Sequence, residues 1–112
     1  MLFYKKLYVG EMAEKRRFAI LQKIRSGGTP AHVYLVVPAA NEANLLDIYP
    51  AGEICGTAEA RWQAAYQKEP LVLGIALGYP DACRLVRRMV DEVYQVTGGL
   101  DIRRYLELDA YK

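Results

Sequence analysis

Few residues in this chain have side chains suited to covalent chemistry. There are two cysteines, Cys55 and Cys83, and one histidine, His32. Cys55 lies in "GEICGT", a loop just ahead of a helix start, where the helix dipole would lower a thiol pKa. His32 would then act as its base and Glu53 would orient that base. The plainer reading is a small apolar residue packed in a loop, and we adopt it. Cys83 falls on the rim of a helix's apolar arc and reads as packing. One histidine and two distant cysteines match no metal-ligand spacing. The glycine pairs in "SGGT" and "TGG" follow helices and lack the Lys and Ser/Thr of a phosphate loop, so they read as helix stops. Glu11, Asp47 and Glu53 are scattered and form no visible acid–base pair. Arg87–Arg88 and Arg103–Arg104 are flanked by acids and read as solvated faces. Arg61 beside Trp62 reads the same way, next to a core anchor. We assign no catalytic residue, no metal and no cofactor, and the chain reads more as a non-enzyme than as an enzyme.

Aromatic usage is the informative signal. Nine tyrosines stand against two phenylalanines and one tryptophan. Tyrosine has an apolar body and a polar tip, which suits a half-wet surface. Two of the nine, Tyr4 and Tyr8, sit in "FYKKLYVG". At a period of two, Phe3, Lys5, Leu7 and Val9 point one way, and Tyr4, Lys6 and Tyr8 point the other.

The elements that must position these residues follow from periodicity. Residues 3–9 read as a strand. Residues 11–26 read as a helix with Ala13, Ile20, Leu21 and Ile24 on one arc, Phe18 at its edge and Arg17 oddly inside it. Gly27 and Gly28 end it. Residues 31–37, "AHVYLVV", and 45–49, "LLDIY", read as strands two and three. Thr57 would cap a short helix carrying Ala58, Trp62, Ala65 and Tyr66 on one face. Residues 71–77, "LVLGIAL", read as strand four. The clearest element is the helix in "GYPDACRLVRRMVDEVYQVTGG". Pro80 sits in its first turn and Gly98 and Gly99 close it. Ala82, Leu85, Val86, Met89, Val90, Val93 and Tyr94 fill its apolar half, with Asp81 on the polar half. Residues 100–112 read either as a fifth strand or as a short helix capped by Asp101.

One α+β domain over residues 1–112 accounts for this order. A chain of this size buries roughly 65% of its unfolded surface, enough for one core. In topology alone it resembles the ferredoxin-like split β-α-β sandwich (βαββαβ), with an added C-terminal helix and tail. That sandwich covers one sheet face with two helices and leaves the other open. Val33, Leu35, Val37, Leu46, Ile48, Leu71, Leu73, Ile75 and Leu77 would face the helices. The open face would carry Tyr4, Lys6, Tyr8, His32, Tyr34 and Tyr49, above the small residues Gly74, Ala76 and Gly78.

Such an amphipathic face implies contact. The expected occupant is the protein itself, as a homodimer or through the third helix or tail. The alternative is a small molecule bound on that face or in the cleft at its edge, with His32 or Lys6 as polar handles. Nucleic acid is not expected. The net charge is only +2, Asp47 would repel phosphate, and no basic-Gly-aromatic motif accompanies the tyrosines. No apolar run approaches the length of a membrane span, and no basic-then-apolar leader precedes the first strand. The expectation is a cytosolic protein with reduced thiols. It would act as a homo-oligomeric interaction or structural domain, or else as a small-molecule binding or sensing domain.

Overall fold

The computed structural model describes residues 1–41 and 43–111. In order come β1 (Leu2–Val9), α1 (Arg17–Arg25), β2 (Val33–Pro38), β3 (Leu46–Pro50), α2 (Ala58–Tyr66), β4 (Leu71–Leu77), α3 (Tyr79–Thr97) and a short α4 (Ile102–Tyr105). Single 3-10 turns precede α1 (Glu14–Arg16), follow β3 (Ala51–Glu53) and follow α4 (Leu108–Tyr111). The protein is thus α+β, with one four-stranded sheet. No helix of the described residues is long and apolar enough to cross a membrane.

The strand order is β1-β4-β2-β3, with β1 parallel to β4 and β2 antiparallel to both of its neighbours. This differs from the ferredoxin-like order, in which β1 is central and β4 lies on an edge. The strands' own residues explain the exchange. Lys5 and Lys6 are both exposed, and a central strand would have to bury them; lysines on an edge also deter pairing with other chains. β4 is a continuous apolar run, buried from Val72 to Ala76, which is the signature of a strand covered on both faces.

Both faces are indeed covered. Val33, Leu35, Val37 and Ile75 pack with Ile20, Leu21 and Ile24 of α1 and with Ile54 and Cys55. On the opposite face Tyr4, Val36, Leu73 and Ala76 pack with Leu85, Met89 and Val93 of α3 and with Ile102, Leu106 and Leu108. The result is three layers rather than a two-layer sandwich with an open face. The space expected above Gly74 is filled. A methyl group there would stand 2.9 Å from Leu85 Cδ2 and 3.2 Å from the Tyr8 carbonyl oxygen.

Face assignments in β1 and β2 agree with the alternation, but those in β3 are reversed. Ile48 pairs with Val36 and Tyr49 with Leu35, and directly paired residues share a face. Leu46 and Ile48 therefore lie under α3, while Tyr49 turns toward α1 and α2. In β4 the alternation slips. Leu71 and Leu73 join the α3 side and Ile75 and Leu77 the α1 side, beside a ladder that is irregular between Phe3 and Tyr8.

Helix ends follow their punctuation in most places. Gly98 adopts φ +75°, a left-handed conformation without penalty for glycine, and its N–H donates to the Tyr94 carbonyl at 2.8 Å. Thr57 makes no side-chain cap bond. In the tail, the short helix wins over the strand, and Asp101 Oδ1 accepts from the Arg104 N–H at 3.3 Å.

Asp81 is the main departure from its expected solvent-facing position. It is only 2% exposed, in the first turn of α3. Oδ2 accepts from the Leu77 N–H at 3.0 Å and Oδ1 from the Met12 N–H at 3.3 Å. Gly10 leaves the room: any Cβ there would overlap this carboxylate. One side chain thus ties the β1–α1 turn to the β4–α3 turn. Replacing it with alanine strands two amide donors, one of them at the end of the central strand. Asp81→Ala should lower stability by about 2–4 kcal/mol in urea unfolding, and a loss under about 0.5 kcal/mol would show that the carboxylate is dispensable.

Candidate functional site

The expected tyrosine face is present, but it is internal. Tyr4 is buried, and its ring stacks on Tyr8 (centroids 6.2 Å apart, planes at 7°) and lies 5.9 Å from Tyr111. The Tyr8 hydroxyl donates to Glu92 Oε2 at 2.6 Å, and the Tyr105 hydroxyl donates to the same oxygen at 2.9 Å. Burial, followed by this bond to Glu92, pushes the Tyr8 phenol pKa well up. Tyr34 is half-buried and meets Tyr79 edge-on at 5.7 Å. So three of the six expected residues, Tyr4, Tyr8 and Tyr34, share the α3 face.

The other three are elsewhere. Lys6 is exposed on the edge strand. His32 precedes β2 as an exposed left-handed residue (φ +62°), and its carbonyl accepts from the Gly78 N–H at 2.8 Å. Tyr49 lies on the far face, with its ring 5.0 Å from that of Trp62 and nearly perpendicular to it. Burial, then a hydrogen bond with Tyr66, pushes the Tyr49 phenol up to about 12.

The thiol reading loses its chemistry. Cys55 is 2% exposed inside the α1 core. Burial first, and the charge of Glu59 second, push its pKa up to about 11. A buried protonated thiol is a poor nucleophile.

A different place on the molecule is shaped for a ligand. Parallel β1 and β4 begin at the same end of the sheet where antiparallel β2 finishes. There Leu2, Pro70 and Leu71, with Val37 and Pro38, floor a cleft of about 530 Å³. The Trp62 ring of α2 bounds it, with the Tyr66 ring 4.4 Å away and tilted by 42°. The tail supplies the other wall through Arg103, Leu108, Asp109 and Tyr111, and Lys68 and Glu69 stand in the turn before β4. This volume lies within the usual range for small-molecule sites, about 300–1,000 Å³. A second hollow is lined by Asp101, Arg103, Arg104, Glu107, Asp109 and Ala110. All six are exposed tail residues, so this hollow lies on the tail's surface and involves no strand.

The tail wall is anchored at both ends. Arg103 Nη2 donates to the Ala39 carbonyl at 2.6 Å, and the Lys5 N–H donates to the Tyr111 hydroxyl at 2.9 Å. Between them Leu106 and Leu108 are buried. On the other wall, Trp62 Nε1 is the one buried side-chain polar atom without a hydrogen-bond partner among the described residues.

Periodicity does not single out these cleft residues. Trp62 reads as a core anchor, Lys68 and Glu69 as a polar turn, and Tyr111 as tail. Only the strand order and the tail's path bring them together. No family model, no curated protein and no solved structure matches the chain.

Two thiol measurements follow. Exposed Cys83 should react with a disulfide reagent in the native protein, while Cys55 should react only on unfolding; fast labelling of both would contradict the burial. The unfolded chain releases the Cys55 proton from the ordinary value of 9.0, whereas the folded protein keeps it to about 11. Above pH 9 the folded state therefore binds more protons, and stability falls as pH rises. Urea midpoints should decline between pH 9 and pH 11, with a smaller decline in Cys55→Ala.

Proposed function

We propose that this protein is a small-molecule binding or sensing domain, cytosolic and without catalytic machinery of its own, whose ligand enters the cleft between the sheet end and the C-terminal tail. The observation that carries the reading is the cleft itself. It has an apolar floor, aromatic side chains on both walls, and a volume fit for a metabolite. Small-molecule sites combine these features with a few polar groups that orient the ligand, a part that Lys68, Glu69, Arg103 and Asp109 can play.

The tyrosine face supports this reading less directly. Its tyrosines hold α3 and the tail in place, so they support the cleft wall rather than receive a partner. Trp62 is the chain's one tryptophan, so its emission reports on the cleft. Aromatic probes of each charge type should be titrated against it, with thermal unfolding in parallel. Saturable change is expected for at least one of them, with a gain near 2.7 kcal/mol at 100 times its Kd. Leu71→Phe, which fills the floor, should weaken that probe about tenfold or more. Silence across the whole panel would remove the reading.

Self-association is the second reading. Its support is the apolar surface that remains outside the covered face. Phe18 is 82% exposed and Met12 58%, both near the start of α1, and exposed apolar groups of this kind mark contacts when they cluster. Light scattering across a dilution series decides. A dimer that persists at low micromolar concentration and dissociates in Phe18→Glu would favour this reading, and a monomer throughout would dismiss it.

A further inference from the structure

The cleft's charges are arranged in opposite-sign pairs. The turn before β4 brings Lys68 next to Glu69, and the facing tail brings Arg103 and Asp109. Each wall therefore presents one cation and one carboxylate above a shared apolar floor. A polyanion such as a nucleotide would meet two carboxylates at the mouth, and no glycine-rich phosphate cradle accompanies them. A simple fatty acid or amine would satisfy one sign and leave the other facing apolar matter. A head group carrying both an ammonium and a carboxylate finds a counter-charge for each.

Two of these groups retain capacity for a ligand. Lys68 is exposed and makes no hydrogen bond or ion pair among the described residues. Glu69 Oε1 forms a long ion pair with the Met1 amino group at 3.7 Å, while that amino group makes its hydrogen bond to Glu59 Oε2 at 2.8 Å, so Glu69 keeps its hydrogen-bond capacity. Arg103 is already engaged with Ala39, and it serves the wall more than the ligand. Lys68 would thus receive the carboxylate and Glu69 the ammonium, while the ligand's apolar portion lies against Leu71 and Trp62.

We propose that the cleft takes a zwitterionic ligand with an apolar or aromatic side group, an amino acid or a molecule that shares its head. The inference rests on the binding reading above and adds the ligand class to it. Burial of an apolar side group supplies affinity, and the paired charges supply selectivity, because like charges placed together are repelled.

The experiment uses the full chain and follows Trp62 emission. L-phenylalanine is compared with three probes that alter only its head: phenethylamine, phenylpropanoate and uncharged phenylpropanol. L-phenylalanine should bind saturably, and each altered probe about tenfold more weakly or worse. Lys68→Glu, an exposed substitution that leaves the core untouched, should weaken L-phenylalanine about tenfold and leave phenethylamine equal or tighter. If any altered probe binds as tightly as L-phenylalanine, the ligand class is wrong while the binding reading stands. Lys68→Glu without effect on L-phenylalanine also overturns the head-group assignment. If none of the four probes binds, both readings fall.

Discussion

The Asp81 carboxylate, buried at the start of α3, is the contact on which the arrangement of layers depends. A buried charge is tolerated only when hydrogen bonds replace water, and here backbone donors from two separate turns do so. Gly10 is the complement, since any side chain there would displace the carboxylate. Arg84 stands 3.7 Å away with its own side chain largely in water, so the pairing adds little beside the two amides. Because Asp81 reaches both Leu77 and Met12, it sets where α3 departs from the sheet. It also sets where the chain turns from β1 toward α1. The Arg88 bond to the Val9 carbonyl, at 2.7 Å, reinforces the same junction one helical stretch later.

From that junction α3 runs across the face that a two-layer fold would leave open, touching all four strands. Covering both faces requires an apolar strand in the middle of the sheet, and β4 meets the requirement with small residues at the closest approach. Gly74 admits Leu85, and Ala76 lies in the same layer. The tyrosines of β1 then become internal props. Their rings fill the space between sheet and tail, and the Tyr8 hydroxyl finds Glu92, because a buried phenol needs an acceptor.

The cleft is a consequence of this construction rather than of a local motif. The tail crosses the end of the sheet because Ile102, Leu106 and Leu108 complete the α3-side core. Its last turn hangs beside the strand ends, held by Arg103 and Tyr111. What remains between that turn and α2 is a space with an apolar floor and a charged rim. On the proposed binding reading, ligand and tail share one wall, so each would strengthen the other, by the reciprocity that governs linked equilibria.

Local physics made much of the protein legible from residues alone. The alternation of β1 and β2, the amphipathic α3 and the glycine stops after α1 and α3 all depend on neighbours within a few positions, and each appears as read; of the two readings open for the tail, the helix capped by Asp101 is the one that forms. The identities of Tyr4, Tyr8 and Tyr34 as companions on one face follow from the same period of two. One histidine and two cysteines 28 positions apart match no metal-ligand spacing, and that too is read from the residues alone. Tertiary structure alone decided the strand order, the turning of Tyr49 to the far face, the burial of Asp81 and the assembly of the cleft. The physical reason is common to all four. Each depends on which distant strand or turn a segment meets, and a shift of one residue in pairing reverses every side chain along a strand. No period in the chain encodes that choice; it is made by burying β4 on both faces and leaving the lysines of β1 in water.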